Sequence, residues 1–84
     1  MKFESQALKR FTEEQIQEAL FDPFLKYFDM EVSSRRGFPR RMYVGTTIDG
    51  VVIEIGVEFR DDDDYIFHSM KARKATIREA KFSG

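Results

Sequence analysis

The strongest constraint in this chain is the segment that follows Asp49-Gly50. There Val51, Ile53, Ile55, Val57 and Phe59 alternate with Val52, Glu54, Gly56 and Glu58. That is the two-residue period of a β-strand with an apolar and a polar face. Asp-Gly is a strong two-residue hairpin signal, since both residues tolerate the positive φ of tight turns. Residues 41–48 are therefore expected to pair antiparallel with residues 51–59. If the apolar face lies under helices, Glu54, Gly56 and Glu58 fall on the opposite one. An open, concave face edged by Arg41, Arg73 and Lys74 would then accept a phosphate chain. Gly45 and Gly56, both mid-strand, would permit bending or close approach of a ligand.

The rest of the chain fits around this hairpin. Thr12-Glu13-Glu14-Gln15 spells a capping box, with Phe11 and Ile16 placed for a hydrophobic staple. The helix it opens carries Ile16, Ala19 and Leu20 on one face and ends near Phe21, because Pro23 disfavours helical geometry at Asp22. Before it, Ser5 can cap a short first turn carrying Ala7, Leu8 and Phe11. Residues 27–33 alternate as a strand, and residues 34–39 read as a turn or loop. Residues 60–64 hold four adjacent Asp, which repel one another and read as a solvated turn rather than a calcium loop. A return strand over residues 65–70 and a short helix over 75–82 complete the order. The expected fold class is α+β: two N-terminal helices, a four-stranded antiparallel sheet and a short C-terminal helix.

With 84 residues, the chain is one domain spanning 1–84. A domain of that size buries only about 60% of its unfolded surface, and twelve Phe and Tyr help fill its thin core. Without cysteine it forms neither disulfides nor thiolate metal sites. No apolar run reaches membrane-spanning length, and MKFESQALKR lacks the apolar core of a secretory signal, so no membrane contact and a cytoplasmic location are expected. The net charge of −1 conceals a segregated distribution: residues 1–32 carry −3, 33–48 carry +4, 49–65 carry −6 and 66–84 carry +4. A fold that joins the two cationic segments makes a basic surface; otherwise each run solvates its own loop or helix.

The C-terminal stretch carries a recognisable pattern. Ser69, then Ala72-Arg73-Lys74-Ala75-Thr76, then Arg78-Glu79 is similar to the strand-to-helix end of BrnT-family toxins of the RelE superfamily. Ala7 and Arg10, the capped helix ending before Asp22-Pro23, and Arg41-Tyr43-Val44-Gly45 follow that group's usual order. The resemblance implies a RelE-like curved antiparallel sheet with helices on one face. It implies the mRNA-cleaving toxin of a bacterial two-gene toxin–antitoxin module, acting on mRNA free or on the ribosome and neutralised by a cognate DNA-binding antitoxin. No metal and no other cofactor is expected.

Such cleavage needs a base for the 2′-hydroxyl, an acid for the leaving 5′-oxygen and cations for the phosphorane. His68 is the one residue whose ordinary pKa lies near neutrality, and with Lys71 and Arg73 it forms the expected catalytic set. Arg40, Arg41, Lys74 and Arg78 are expected to bind phosphates, and Tyr43 to stack on a base. Simpler roles exist for each residue. His68 alternates with Ile66 and Met70 and could point to the core, Tyr43 could be a sheet residue, and residues 71–81 could be a solvated helix face. Glu54 and Glu58 could act as bases, but they fit cross-strand pairs with Arg side chains better. A non-catalytic RNA- or protein-binding module of the same fold is the alternative.

Overall fold

The computed structural model describes residues 1–32 and 36–84. Ser33, Ser34 and Arg35, where the expected second strand ends and the Arg-rich loop begins, lie outside the described residues. The elements are β1 (Lys2–Phe3), a 3-10 turn (Ser5–Leu8), α1 (Glu13–Leu20), β2 (Lys26–Met30), β3 (Arg40–Thr46), β4 (Val52–Phe59), β5 (Asp64–Lys71) and α2 (Lys74–Ala80). Among the described residues, all five strands join one sheet in the order β1-β5-β4-β3-β2.

The expected fold class is corrected in two places. Only one N-terminal α-helix forms, because Ser5–Leu8 makes a single 3-10 turn whose cap position is Glu4, not Ser5. The sheet is five-stranded and mixed, because Lys2 and Phe3 pair in parallel with Tyr65 and Ile66. Two residues offer no period to read, and β1 is held by distant partners instead. The Glu4 N–H donates to the Ile66 carbonyl at 2.9 Å. The Met1 ammonium lies 2.7 Å from Asp63, and Lys2 lies 3.4 Å from Asp62, which also accepts from the Tyr65 hydroxyl. The aspartate run thus anchors the edge of the sheet as well as turning the chain, and Asp64 already belongs to β5.

α1 opens on the full capping box: the Gln15 N–H donates to Thr12 Oγ1 at 3.1 Å, and the Thr12 N–H donates to Gln15 Oε1 at 2.9 Å. Thr12→Ala is expected to cost about 1 kcal/mol, read as a lowered urea midpoint with an unchanged slope. The hairpin closes one residue wider than a two-residue Asp49-Gly50 turn. The Thr47 N–H donates to Val51 O at 2.9 Å, so the loop is residues 48–50. Gly50 alone of its three residues takes a positive φ, 86°, with its N–H donating to Thr47 O.

The register sorts side chains onto two faces. Ile53, Ile55 and Val57 lie under α1 and the 3-10 turn, in one core with Ala7, Ile16, Ala19 and Ile66. At Gly45 the packing is backbone on backbone, and a Cβ there would meet the Ala19 carbonyl. On the other face Ala80 and Phe82 close over Val44, with Phe28, Val52 and Ile77 around them. Helices therefore cover both faces, not one. The open concave face does not exist: Glu54 is 0% exposed and Glu58 2%.

One irregularity decides where the candidate chemistry sits. Val57 pairs with Ile66 but Gly56 pairs with His68, so Phe67 is an extra residue in β5. This β-bulge reverses the alternation. His68 consequently sits on Glu54's face, opposite the core face that Ile66 occupies. Among the described residues, no helix is long and apolar enough to cross a membrane.

Candidate functional site

Glu54 is the centre of the site. β4 carries its carboxylate into the space between the sheet and the start of α2, where it is wholly buried. A buried carboxylate is costly unless fully hydrogen-bonded, and here three groups converge on it. Arg73, in extended geometry at the N-cap of α2, donates its backbone N–H to Oε1 at 3.0 Å. The same side chain donates Nε to Oε1 at 3.2 Å and Nη2 to Oε2 at 2.7 Å. His68 Nε2 lies 2.9 Å from Oε2. Burial alone would raise the Glu54 pKa; the Arg73 side chain and backbone, His68 and Thr76 outweigh it and hold the carboxyl at about 2. Glu54 is thus ionised at neutral pH and accepts from both partners. A neutral His68 then carries its proton on Nε2 and leaves Nδ1 as an acceptor.

The His68 side chain is 30% exposed. Beside it opens a hollow of about 270 Å³ lined by Gln6, Lys9, Arg10, Phe67 and Ser69. Two hydrogen bonds tie the 3-10 turn to β5 here: Gln6 Nε2 donates to the Phe67 carbonyl at 2.9 Å, and Ser69 Oγ donates to the Ala7 carbonyl at 2.6 Å. They hold Lys9 and Arg10 at the rim. The hollow therefore joins one oriented imidazole to two exposed cations.

The expected site residues do not all meet. Arg40 shares His68's face but is engaged: its Nε donates to Glu58 Oε2 at 2.8 Å, and its guanidinium stacks 4.3 Å from the Phe67 ring centre. Arg60 holds the other Glu58 oxygen at 2.6 Å. Glu58 is buried, which alone would raise its pKa, yet these two guanidinium groups bring it below the usual range. Arg41 and Tyr43 lie on the opposite face of the sheet, since Tyr43 pairs with Ile55. There Arg41 reaches Asp29 and the Tyr43 hydroxyl and stacks 4.1 Å from the Tyr27 ring centre. Lys71 ends β5 opposite Ile53, so alternation points it away from His68's face. Lys74 and Arg78 are exposed on α2.

Sequence reasoning missed Lys9, Arg10 and the orienting role of Glu54. The Lys9-Arg10 pair was visible, but only the contacts between the 3-10 turn and β5 bring it to residue 68. Compared with known proteins, the chain matches no family model and no curated protein.

Proposed function

We propose that this chain is a BrnT-like ribonuclease toxin that cleaves mRNA without a metal ion at the His68 hollow. The observation that supports this most is the Arg73–Glu54–His68 constellation beside the Lys9-Arg10 rim. In this reading His68 Nδ1 takes the proton of a 2′-hydroxyl as its oxygen attacks the adjacent phosphorus. The imidazolium then returns that proton to the leaving 5′-oxygen, giving a 2′,3′-cyclic phosphate and a 5′-hydroxyl. Glu54 fixes the ring and balances its charge in the middle of the reaction. Arg73, Lys9 and Arg10 bear on the phosphate, whose charge grows in the transition state. The partner implied is a DNA-binding antitoxin with an acidic segment that covers the hollow, and the setting is the cytoplasm.

The test is cleavage of a defined transcript by purified protein in the presence of chelator, alongside growth on induced expression. The wild type is expected to cut and to arrest growth. His68→Ala should lower the rate by about 100-fold or more, whereas Arg41→Ala and Tyr43→Phe, on the far face, should leave it unchanged. Arg10→Ala should weaken RNA binding and flatten its salt dependence. A wild type that neither cuts RNA nor slows growth sinks the proposal. RNA that is bound in a salt-sensitive way but never cut favours the non-catalytic binding module.

A further inference from the structure

The end of α1 and the β3–β4 hairpin enclose a second concavity, of about 570 Å³, which shares no lining residue with the His68 hollow. Two large apolar side chains flank it, Phe21 at 84% and Ile48 at 82% exposure. Neither position needs such a residue. Phe21 is the C-cap of α1 and Ile48 sits in a turn, and a polar residue at either would cost the fold little. The acids of the lining are Glu14, Glu18 and Asp22, and no lining residue is basic among the described residues.

The groove is also preformed. Glu18 Oε1 accepts from the Ile48 N–H at 3.1 Å, and Asp22 Oδ2 accepts from the Thr46 N–H at 2.8 Å, pinning the hairpin to the helix end. Glu14 and the second oxygen of Glu18 remain available to a ligand's donors.

We infer that this groove docks a short segment of a partner polypeptide whose apolar anchor sits between Phe21 and Ile48 and whose Lys or Arg side chains reach Glu14 and Glu18. Charge selects that occupant. A second copy of the chain would bring the same three carboxylates face to face across a two-fold axis. RNA and anionic lipid are repelled for the same reason. A basic polypeptide segment is attracted, and apolar anchors in a groove are a recurring mode of peptide recognition. This inference is independent of the ribonuclease proposal.

The experiment is selection of a random phage-displayed peptide library against the full chain. Winning peptides are then measured by fluorescence anisotropy against wild type, Phe21→Ser, Ile48→Ser and the pair Glu14→Gln/Glu18→Gln. Because Phe21 and Ile48 are exposed, the serine variants should fold normally, and circular dichroism checks this. Enriched peptides should combine Lys or Arg with a large apolar residue. Their affinity should fall at least about tenfold in each serine variant and weaken with salt for the wild type. An Asp61→Asn/Asp62→Asn control should bind as the wild type does. Enrichment of acidic peptides overturns the inference, as does binding indifferent to Phe21→Ser. A dimer in sedimentation velocity that Phe21→Ser dissolves also overturns it, in favour of self-association.

Discussion

Glu54→Gln is expected to destabilise the protein by about 3 kcal/mol at neutral pH, and to remove much of its sensitivity to acid. The carboxyl sits at about 2 in the fold against an ordinary 4.5. A carboxyl depressed by folding contributes stability that is complete above its unfolded value and is lost as pH falls through its folded value. The window therefore runs from 4.5 down to about 2, and a depression of this size corresponds to about 3 kcal/mol. Glutamine keeps the shape, but it is neutral and turns a donor toward Arg73 or His68, both already donors. Urea titrations near neutrality and near pH ~3 measure the effect. The wild type should lose far more stability between the two conditions than Glu54→Gln does. Equal stability of the two proteins at neutral pH would mean that the buried carboxylate does not organise this end of the sheet.

Gly45→Ala is expected to be at least as damaging, for a steric reason. An added Cβ would meet the Ala19 carbonyl and lie 3.0 Å from Leu25 Cδ1. Both sides of the first contact are backbone, one in a strand and one in a helix, so neither can yield cheaply. Overpacking typically costs about 1–3 kcal/mol, and more when backbone must move. We expect about 3 kcal/mol or more here, seen as a protein unfolded or insoluble at ordinary temperature. Gly56→Ala is the instructive contrast. There the Cβ meets the tip of the Phe67 ring at 2.6 Å, and a ring can swing. Its cost should be about 1 kcal/mol, with the larger effect on the His68 hollow that Phe67 lines. A thermal midpoint for Gly45→Ala close to that of the wild type would refute the close approach of α1 to β3.

These effects help explain which features could be read from residues alone. The capping box, the turn at Asp49-Gly50 and the alternating β4 are local: each is written in neighbouring residues and each forms, the turn with one more loop residue than the pair alone implies. β1 is not local. Lys2 and Phe3 acquire a strand only because Tyr65, Ile66 and the aspartates come to meet them. The face taken by α2 is equally non-local, because the apolar period of residues 75–82 says that one side of the helix is buried but not against which side of the sheet. That choice converts Glu54 from a presumed open-face residue into a buried one. The separation of Arg41 and Tyr43 from His68 could in part be deduced, since strand alternation divides Arg40 from Arg41.

The extra residue in β5 has a consequence for how related chains should be compared. On either side of Phe67 the strand keeps its own odd–even rule, and the two rules are out of phase. Almost any residue could therefore stand at position 67 and still leave the imidazole facing Glu54. A relative one residue shorter here would pair regularly, with its histidine still opposite Gly56. A single gap aligned at this position thus keeps the histidine in space as well as on paper, whereas an ungapped count along the strand would send it to the core.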